Sequence, residues 1–172
     1  MEGTITKTAK PVLWNTQNDL PQEVRLSAIG LLNQQLADAL DLDLQAKQAH
    51  WNVKGPNFIA LHELFDEVEE ELEEFADDIA ERAVVLGGTA YGTVRVAAGK
   101  SRLPEYPLDI RSGREHVAAL SSALAKFAAS ARAAIDSAST LGDADTADLF
   151  TEVSRGIDKL LWKVEAHAQA DD

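Results

Sequence analysis

The chain has 172 residues, no cysteine, one methionine, 45% hydrophobic residues and a formal net charge of −13, with a pI near 4.6. That length suits a single domain with a proper core. The missing cysteine excludes a disulfide scaffold, a thiolate metal site and a cysteine nucleophile, and the acidity argues against a basic nucleic-acid-binding face and points to cations as partners. No run reaches the ~18 apolar residues of a membrane span and the polar N-terminus lacks an apolar signal segment, so a soluble, cytoplasmic protein is expected.

Residues 1–18 read as a mobile N-terminal tail ahead of a domain over 19–172. A first helix is predicted over 22–49, with Leu26, Ile29, Leu32, Leu36, Leu40 and Leu44 on one face, Pro21 in its first turn and Asp19 as a candidate cap. Gly55, Pro56 and Asn57 make a turn into a second helix over 57–86. Between Glu63 and Glu81 this segment carries eleven acidic residues and no Lys or Arg. Such a block is usually a solvated or disordered stretch. Here Leu61, Leu64, Phe65, Val68, Leu72, Phe75, Ile79, Ala83 and Leu86 recur at three- and four-residue steps, which predicts an ordered amphipathic helix with dense acid on its remaining faces. Gly87 and Gly88 end it.

A long connection over 87–109 follows, holding Pro104 and Pro107 and a possible short helix at 93–98. The third long helix is predicted over 110–138 on Val117, Leu120, Leu124, Phe127, Ala131 and Ile135. Gly142 and Asp143 separate it from the fourth, over 146–168, on Phe150, Val153, Ile157, Leu160, Leu161 and Val164. No segment alternates as a strand should. Two short connections and one long crossover define an all-α, ferritin-like four-helix bundle.

Four histidines are present. His50 closes the first helix. His62 opens the second, and Asp66 follows it four residues on, so those two side chains share a helical face. Asp77 and Glu81 repeat that spacing further along. Imidazole with carboxylates and no sulfur suits iron, zinc or manganese, although a lone histidine is more often structural. Asp66 and Asp77 lie ~16 Å apart along one helix, so both pairs cannot hold one ion within a single chain. If the function is metal binding, a two-fold dimer with antiparallel second helices would bring Asp77 and Glu81 of one chain to His50, His62 and Asp66 of its mate. His116 and His167 fall outside these spacings and are read as surface or packing residues. The Glu-x-x-His motif of intrachain di-iron bundles and the His-Glu-x-x-His motif of zinc proteases are both absent, as are a Gly-rich phosphate loop and a Ser nucleophile motif.

The string from Lys47 to Pro56 (KQAHWNVKGP), followed by His62-Glu63-Leu64-Phe65-Asp66 and Asp77-Asp78-Ile79-Ala80-Glu81, closely resembles the Dps family of mini-ferritins. The Leu86-Gly87-Gly88 stop, the Tyr106-Pro107 pair and the segment from Ala144 to Trp162 resemble it too, and the likeness runs over nearly all the chain beyond Asn18. The resemblance implies a hollow shell of twelve subunits. It also implies ferroxidase sites at two-fold interfaces, where Fe(II) is oxidised, preferentially by hydrogen peroxide, and stored as ferric mineral. On these positions, His50, His62 and Asp66 of one subunit would face Asp77 and Glu81 of another. Trp51 would be a sacrificial electron donor or simply an interface aromatic, and Lys47 a neighbour of the site or a solvated lysine. Asp143, Asp145, Asp148 and Glu152 fall where the family lines its three-fold pores, and N-capping explains acids at that place equally well.

Many relatives compact DNA through lysine-rich tails, which makes a nucleoid-compacting structural protein the alternative function. Here Lys7 and Lys10 stand against Glu2, and the chain ends on Asp171 and Asp172. DNA binding is therefore expected to be weak or absent.

Overall fold

The apolar period of the sequence takes shape as four long helices and one short one in the computed structural model, which describes residues 13–170. These are α1 (Gln22–Asn52), α2 (Phe58–Val85), α3 (Val94–Lys100), α4 (Gly113–Leu141) and α5 (Ala144–Glu165). Among the described residues there is no strand, only an isolated bridge between Lys54 and Ser112. α1 packs mainly on α2 and α4 mainly on α5, forming two antiparallel hairpins that face each other through α1–α4 and α2–α5 contacts. The predicted all-α, ferritin-like bundle is the observed architecture.

The stripe predicted for α2 is wholly buried from Leu61 to Ala83, and Leu86 just beyond the helix is buried as well. α1 departs from its predicted face. Leu32 and Leu36 are buried, but Leu40 is half-buried and Leu44 is 50% exposed, as is the outlying Leu26 at 37%. Four-residue steps advance about 40° beyond a full turn each time, so an unbroken leucine ladder rotates out of the core. The buried face instead runs through Ala39, Leu42, Ala46 and Ala49, where three alanines permit close helix packing. On α4 and α5, Ile135 and Leu161 sit at the edge of the core while the rest of each predicted stripe is buried.

Helix ends follow local chemistry. Asp19 does not cap α1: Pro21 occupies the cap position and there is no side-chain capping hydrogen bond. Ser112 caps α4 in a reciprocal box with Glu115. Gly142, in the left-handed region at φ 81°, closes α4, and Asp143 at once caps α5.

The crossover runs beside α1 for nearly its whole length. Asn33 donates to Thr89 O at 3.0 Å, Asp38 accepts from the backbone N–H of Arg102 at 2.8 Å, and Gln45 donates to Pro104 O at 3.0 Å. Asp38 is 1% exposed and is further paired with the Arg102 guanidinium, so its buried charge is neutralised where it sits. Of the expected tail, residues 1–12 lie outside the described residues. Trp14 lies against the bundle, its N–H donating to Gly87 O at 2.7 Å.

α2 and α5 meet closely at Gly156, where an added Cβ would stand 2.3 Å from the ring of Phe75. Gly156→Val should therefore force the helices apart and lower unfolding stability by roughly 1–3 kcal/mol, measured by thermal or denaturant unfolding. Unchanged stability would show that the contact is slack.

Candidate metal centre

Only five residues, 53–57, separate α1 from α2, so the last turns of one helix face the first turns of the other. His50 Nδ1–H donates to the carbonyl of His62 at 2.8 Å, and His62 Nδ1–H donates to the carbonyl of His50 at 2.9 Å. A carbonyl can only accept. Both Nδ1 atoms therefore carry a hydrogen, which in the neutral form of imidazole leaves the lone pair on Nε2, the atom that can bind a cation. The rings stack at 3.7 Å between centroids and 21° between planes, and Phe58 stacks on His62 at 5.0 Å. Reciprocal bonds and stacking leave neither imidazole free to turn.

Lys47 lies one turn before His50 and bridges Asp66 Oδ1 at 2.9 Å and Glu69 Oε2 at 3.0 Å. Asp66 Oδ1 also lies 3.4 Å from His50 Nδ1. The hydrogen bond from Lys47 holds the Asp66 carboxyl below its usual range, and the same contacts raise the ammonium of Lys47. Because Asp66 is exposed to water, the pair adds little to stability; its effect is to keep a carboxylate ionised beside the histidines. Of the two readings of Lys47, the structure supports the neighbour of the site.

Asp43 and Glu69 were not singled out by spacing alone, yet they continue the same face. Asp43, Lys47 and His50 sit at i, i+4 and i+7 on α1, opposite His62, Asp66, Glu69 and Glu73 on α2. The signal was present in the i, i+4 register of α1, hidden by the leucine ladder beside it. Burial, reinforced by the charges of Glu69 and Glu73, raises the Asp43 carboxyl to about 6. Its Oδ1 is buried without a hydrogen-bond partner. A groove of about 710 Å³ opens here, lined by Asp43, Glu73, Glu74 and Asp77 over Leu40 and Ala80.

Asp77 and Glu81 are exposed further along α2. No three His, Asp or Glu side chains among the described residues of one chain are placed to hold a metal ion together. Trp51, adjacent to His50, is 64% exposed, and Phe58 and Ile59 are exposed beside His62; together with Leu44 they leave apolar surface around the imidazoles.

Of the candidate pore acids, Asp143 is 1% exposed and fully engaged. It accepts from Thr146 N at 3.1 Å and Thr146 Oγ1 at 2.6 Å, and from the Arg82 guanidinium at 2.7 Å. It serves as the α5 cap and the partner of Arg82, the capping role weighed above. Asp145, Asp148 and Glu152 are exposed on the first turns of α5. Of the two other histidines, His116 is buried and His167 is exposed.

Two antiparallel helical hairpins joined by a long crossover, with a paired-histidine face at one hairpin turn, define a ferritin-like bundle protein. The ferritin-like domain profile matches residues 29–172. The "DNA protection during starvation protein" of Agrobacterium fabrum is 47% identical over 154 residues, covering 90% of this chain and 95% of that one. Its namesake 2 from Deinococcus radiodurans is 32% identical, covering 95% and 69%. Among solved structures, DpsC from Streptomyces coelicolor superposes with a TM-score of 0.89 at 29% identity, covering 94% of each chain. A Dps from Mycobacterium smegmatis gives 0.86 at 31% identity, covering 91% and 95%. The chain belongs to the Dps family of ferritin-like proteins.

The raised Asp43 carboxyl carries a testable sign. The folded state holds its proton more tightly than the unfolded chain, so its contribution to stability falls as pH rises from 3.8 to about 6 and stays low above that. Asp43→Asn should stabilise the metal-free protein near neutral pH by on the order of 1 kcal/mol, after allowance for solvent screening at a half-buried group, with no gain near pH 4. Unfolding curves at the two pH values check this, and an equal shift at both would refute it.

Proposed function

We propose that the protein is a ferroxidase and iron store. It takes up Fe(II), oxidises it with hydrogen peroxide and holds the ferric product inside a shell of twelve copies, protecting the cell interior from oxidative damage. The observation that carries this reading is the locked pair His50 and His62, with both Nδ1 atoms committed as donors and both Nε2 lone pairs available. Two imidazoles and a carboxylate, without sulfur, fit ferrous iron and bind it loosely enough for ferric product to move on.

In this reading iron is substrate, and the site spans two subunits. His50, His62 and Asp66 come from one chain and Asp77 and Glu81 from its two-fold mate. The ~16 Å of α2 between Asp66 and Asp77 supports that division, as does the apolar surface around Trp51, whose first task would be to bury itself in the interface. Two ferrous ions acting together give the two electrons that reduce peroxide, so the paired reaction releases no hydroxyl radical, whereas a single ferrous ion would. Lys47 keeps Asp66 ionised before iron arrives. Asp148 and Glu152, repeated around a three-fold axis, would draw cations inward through their negative potential.

Family membership brings DNA into view through the names of the relatives, which refer to DNA protection. The composition weighs against tight binding: twelve copies at −13 each repel phosphate, and the two tail lysines lie outside the described residues. At about 150 mM salt, plasmid should migrate unshifted in a gel with the protein present; retention at that salt would make DNA compaction a principal activity.

The deciding experiment is anaerobic Fe(II) loading followed by peroxide, with ferric absorbance and retained iron as readouts. His50→Ala with His62→Ala should slow oxidation by at least about tenfold, since two of the donors are gone. Oxidation at the wild-type rate would remove the site from consideration, and failure of the intact protein to retain ferric iron would end the storage reading.

A further inference from the structure

Tyr106 and His116 form a buried titratable pair that the iron reading leaves unused. Tyr106 stands in the crossover, 8% exposed, and His116 in the first turn of α4, 1% exposed. The phenol oxygen lies 2.6 Å from His116 Nδ1, and the two rings are nearly parallel at 23°. The phenol hydroxyl has no other hydrogen-bond partner among the described residues. Its proton is accordingly best placed on the line to Nδ1, which then holds the lone pair and leaves the hydrogen on Nε2. That Nε2 is buried and unpartnered, an unfavourable arrangement that packing alone would avoid with an apolar residue. Burial keeps the imidazole neutral and raises the phenol, so at neutral pH the pair is an intact phenol hydrogen-bonded to a free base.

Removing an electron from a phenol makes its proton strongly acidic, so the oxidation becomes easy only where a base already waits within hydrogen-bond reach. We propose that Tyr106 and His116 act together as a one-electron donor that quenches stray oxidant of the hydroxyl-radical class. The iron reading above supplies that oxidant whenever a single ferrous ion meets peroxide, yielding a ferric ion, hydroxide and hydroxyl radical. Tyr106 gives one electron, which turns the radical into hydroxide, and its hydroxyl proton passes to His116 Nδ1. The products are a neutral phenoxyl radical and an imidazolium. A second ferrous ion restores the pair: it gives the phenoxyl one electron and becomes ferric, while the proton returns from Nδ1 to oxygen. The carboxylate of Glu115 favours the transient imidazolium and the ammonium of Lys54 opposes it. Burial shields the phenoxyl from coupling with another ring, a protection that Trp14, Trp162 and Tyr91, exposed on the single chain, lack.

The chain has only two tyrosines, which makes the assignment clean. A photogenerated ruthenium(III) polypyridyl oxidant, used on the intact assembly without iron, should give a tyrosyl radical by freeze-quench electron paramagnetic resonance. The signal should persist in Tyr91→Phe and be lost in Tyr106→Phe. His116→Gln keeps a polar side chain but no base, and should fold as wild type by thermal unfolding while giving a reduced radical yield. The same spectrum should follow ferrous ion and substoichiometric peroxide. No tyrosyl signal in wild type, a signal surviving Tyr106→Phe, or an unchanged yield in a folded His116→Gln would overturn the proposal. A Tyr106 radical under ruthenium with no ferric product under peroxide would uphold the pair while refuting the ferroxidase reading.

Discussion

The reciprocal bonds between His50 and His62 across the turn joining α1 to α2 are the constraint on which the site depends. Each imidazole satisfies the other residue's backbone carbonyl, one at the end of α1 and one in the first turns of α2. The last turn of a helix leaves carbonyls without partners, so the bond from His62 that finishes α1 also fixes that ring, and the reciprocal bond from His50 fixes the other. A structural need and a chemical one are met by one pair of hydrogen bonds. The apolar face of α2 and the small residues of α1 set the helices close enough for that pairing, with Ala46 and Ala49 fully buried between them.

Around this point charge is arranged with few compensations. Lys47 takes Asp66 and Glu69, and Lys163 reaches Glu67 from α5. The remaining acids of the block from Glu63 to Glu81 have no ion-pair partner among the described residues. Their mutual repulsion is tolerated because the opposite face of α2 buries an unbroken apolar stripe, and screening by water and salt weakens exposed charges. Such a helix keeps much unneutralised acid beside two oriented imidazoles, the feature on which the proposed iron site rests. The ion pair of buried Asp38 with the exposed Arg102 serves a different end, fixing the crossover against α1.

Part of the candidate site's local geometry was legible at the level of spacing. His62 and Asp66 share a face because four residues make roughly one turn, and the structure brings His50 to them because the intervening connection is short. The identity of Lys47 as a bridge, and the buried Asp43, were not legible, because both depend on which face of α1 meets α2. The leucine ladder of α1 suggested one face and alanines supplied another, since packing distance rather than hydrophobicity alone selected it. Asp143 shows the same limit from the other side. As an acid at a helix start it fitted a pore or a cap equally well, and only the approach of Arg82 from the end of α2 distinguished them.

By itself the sequence determined the all-α class, the number of long helices, the single long crossover and the grouping of histidines with carboxylates, because helical period, turn residues and local spacing act within a few residues of chain. Composition added an expectation, that an acidic chain attracts cations more readily than phosphates. Only the tertiary structure decided the tautomers of His50 and His62, the placement of Lys47 on Asp66, the burial of Asp143 and the pairing of Tyr106 with His116. Those contacts join residues from ten to more than sixty positions apart, and their geometry exists only once helices have chosen their faces and closed against one another.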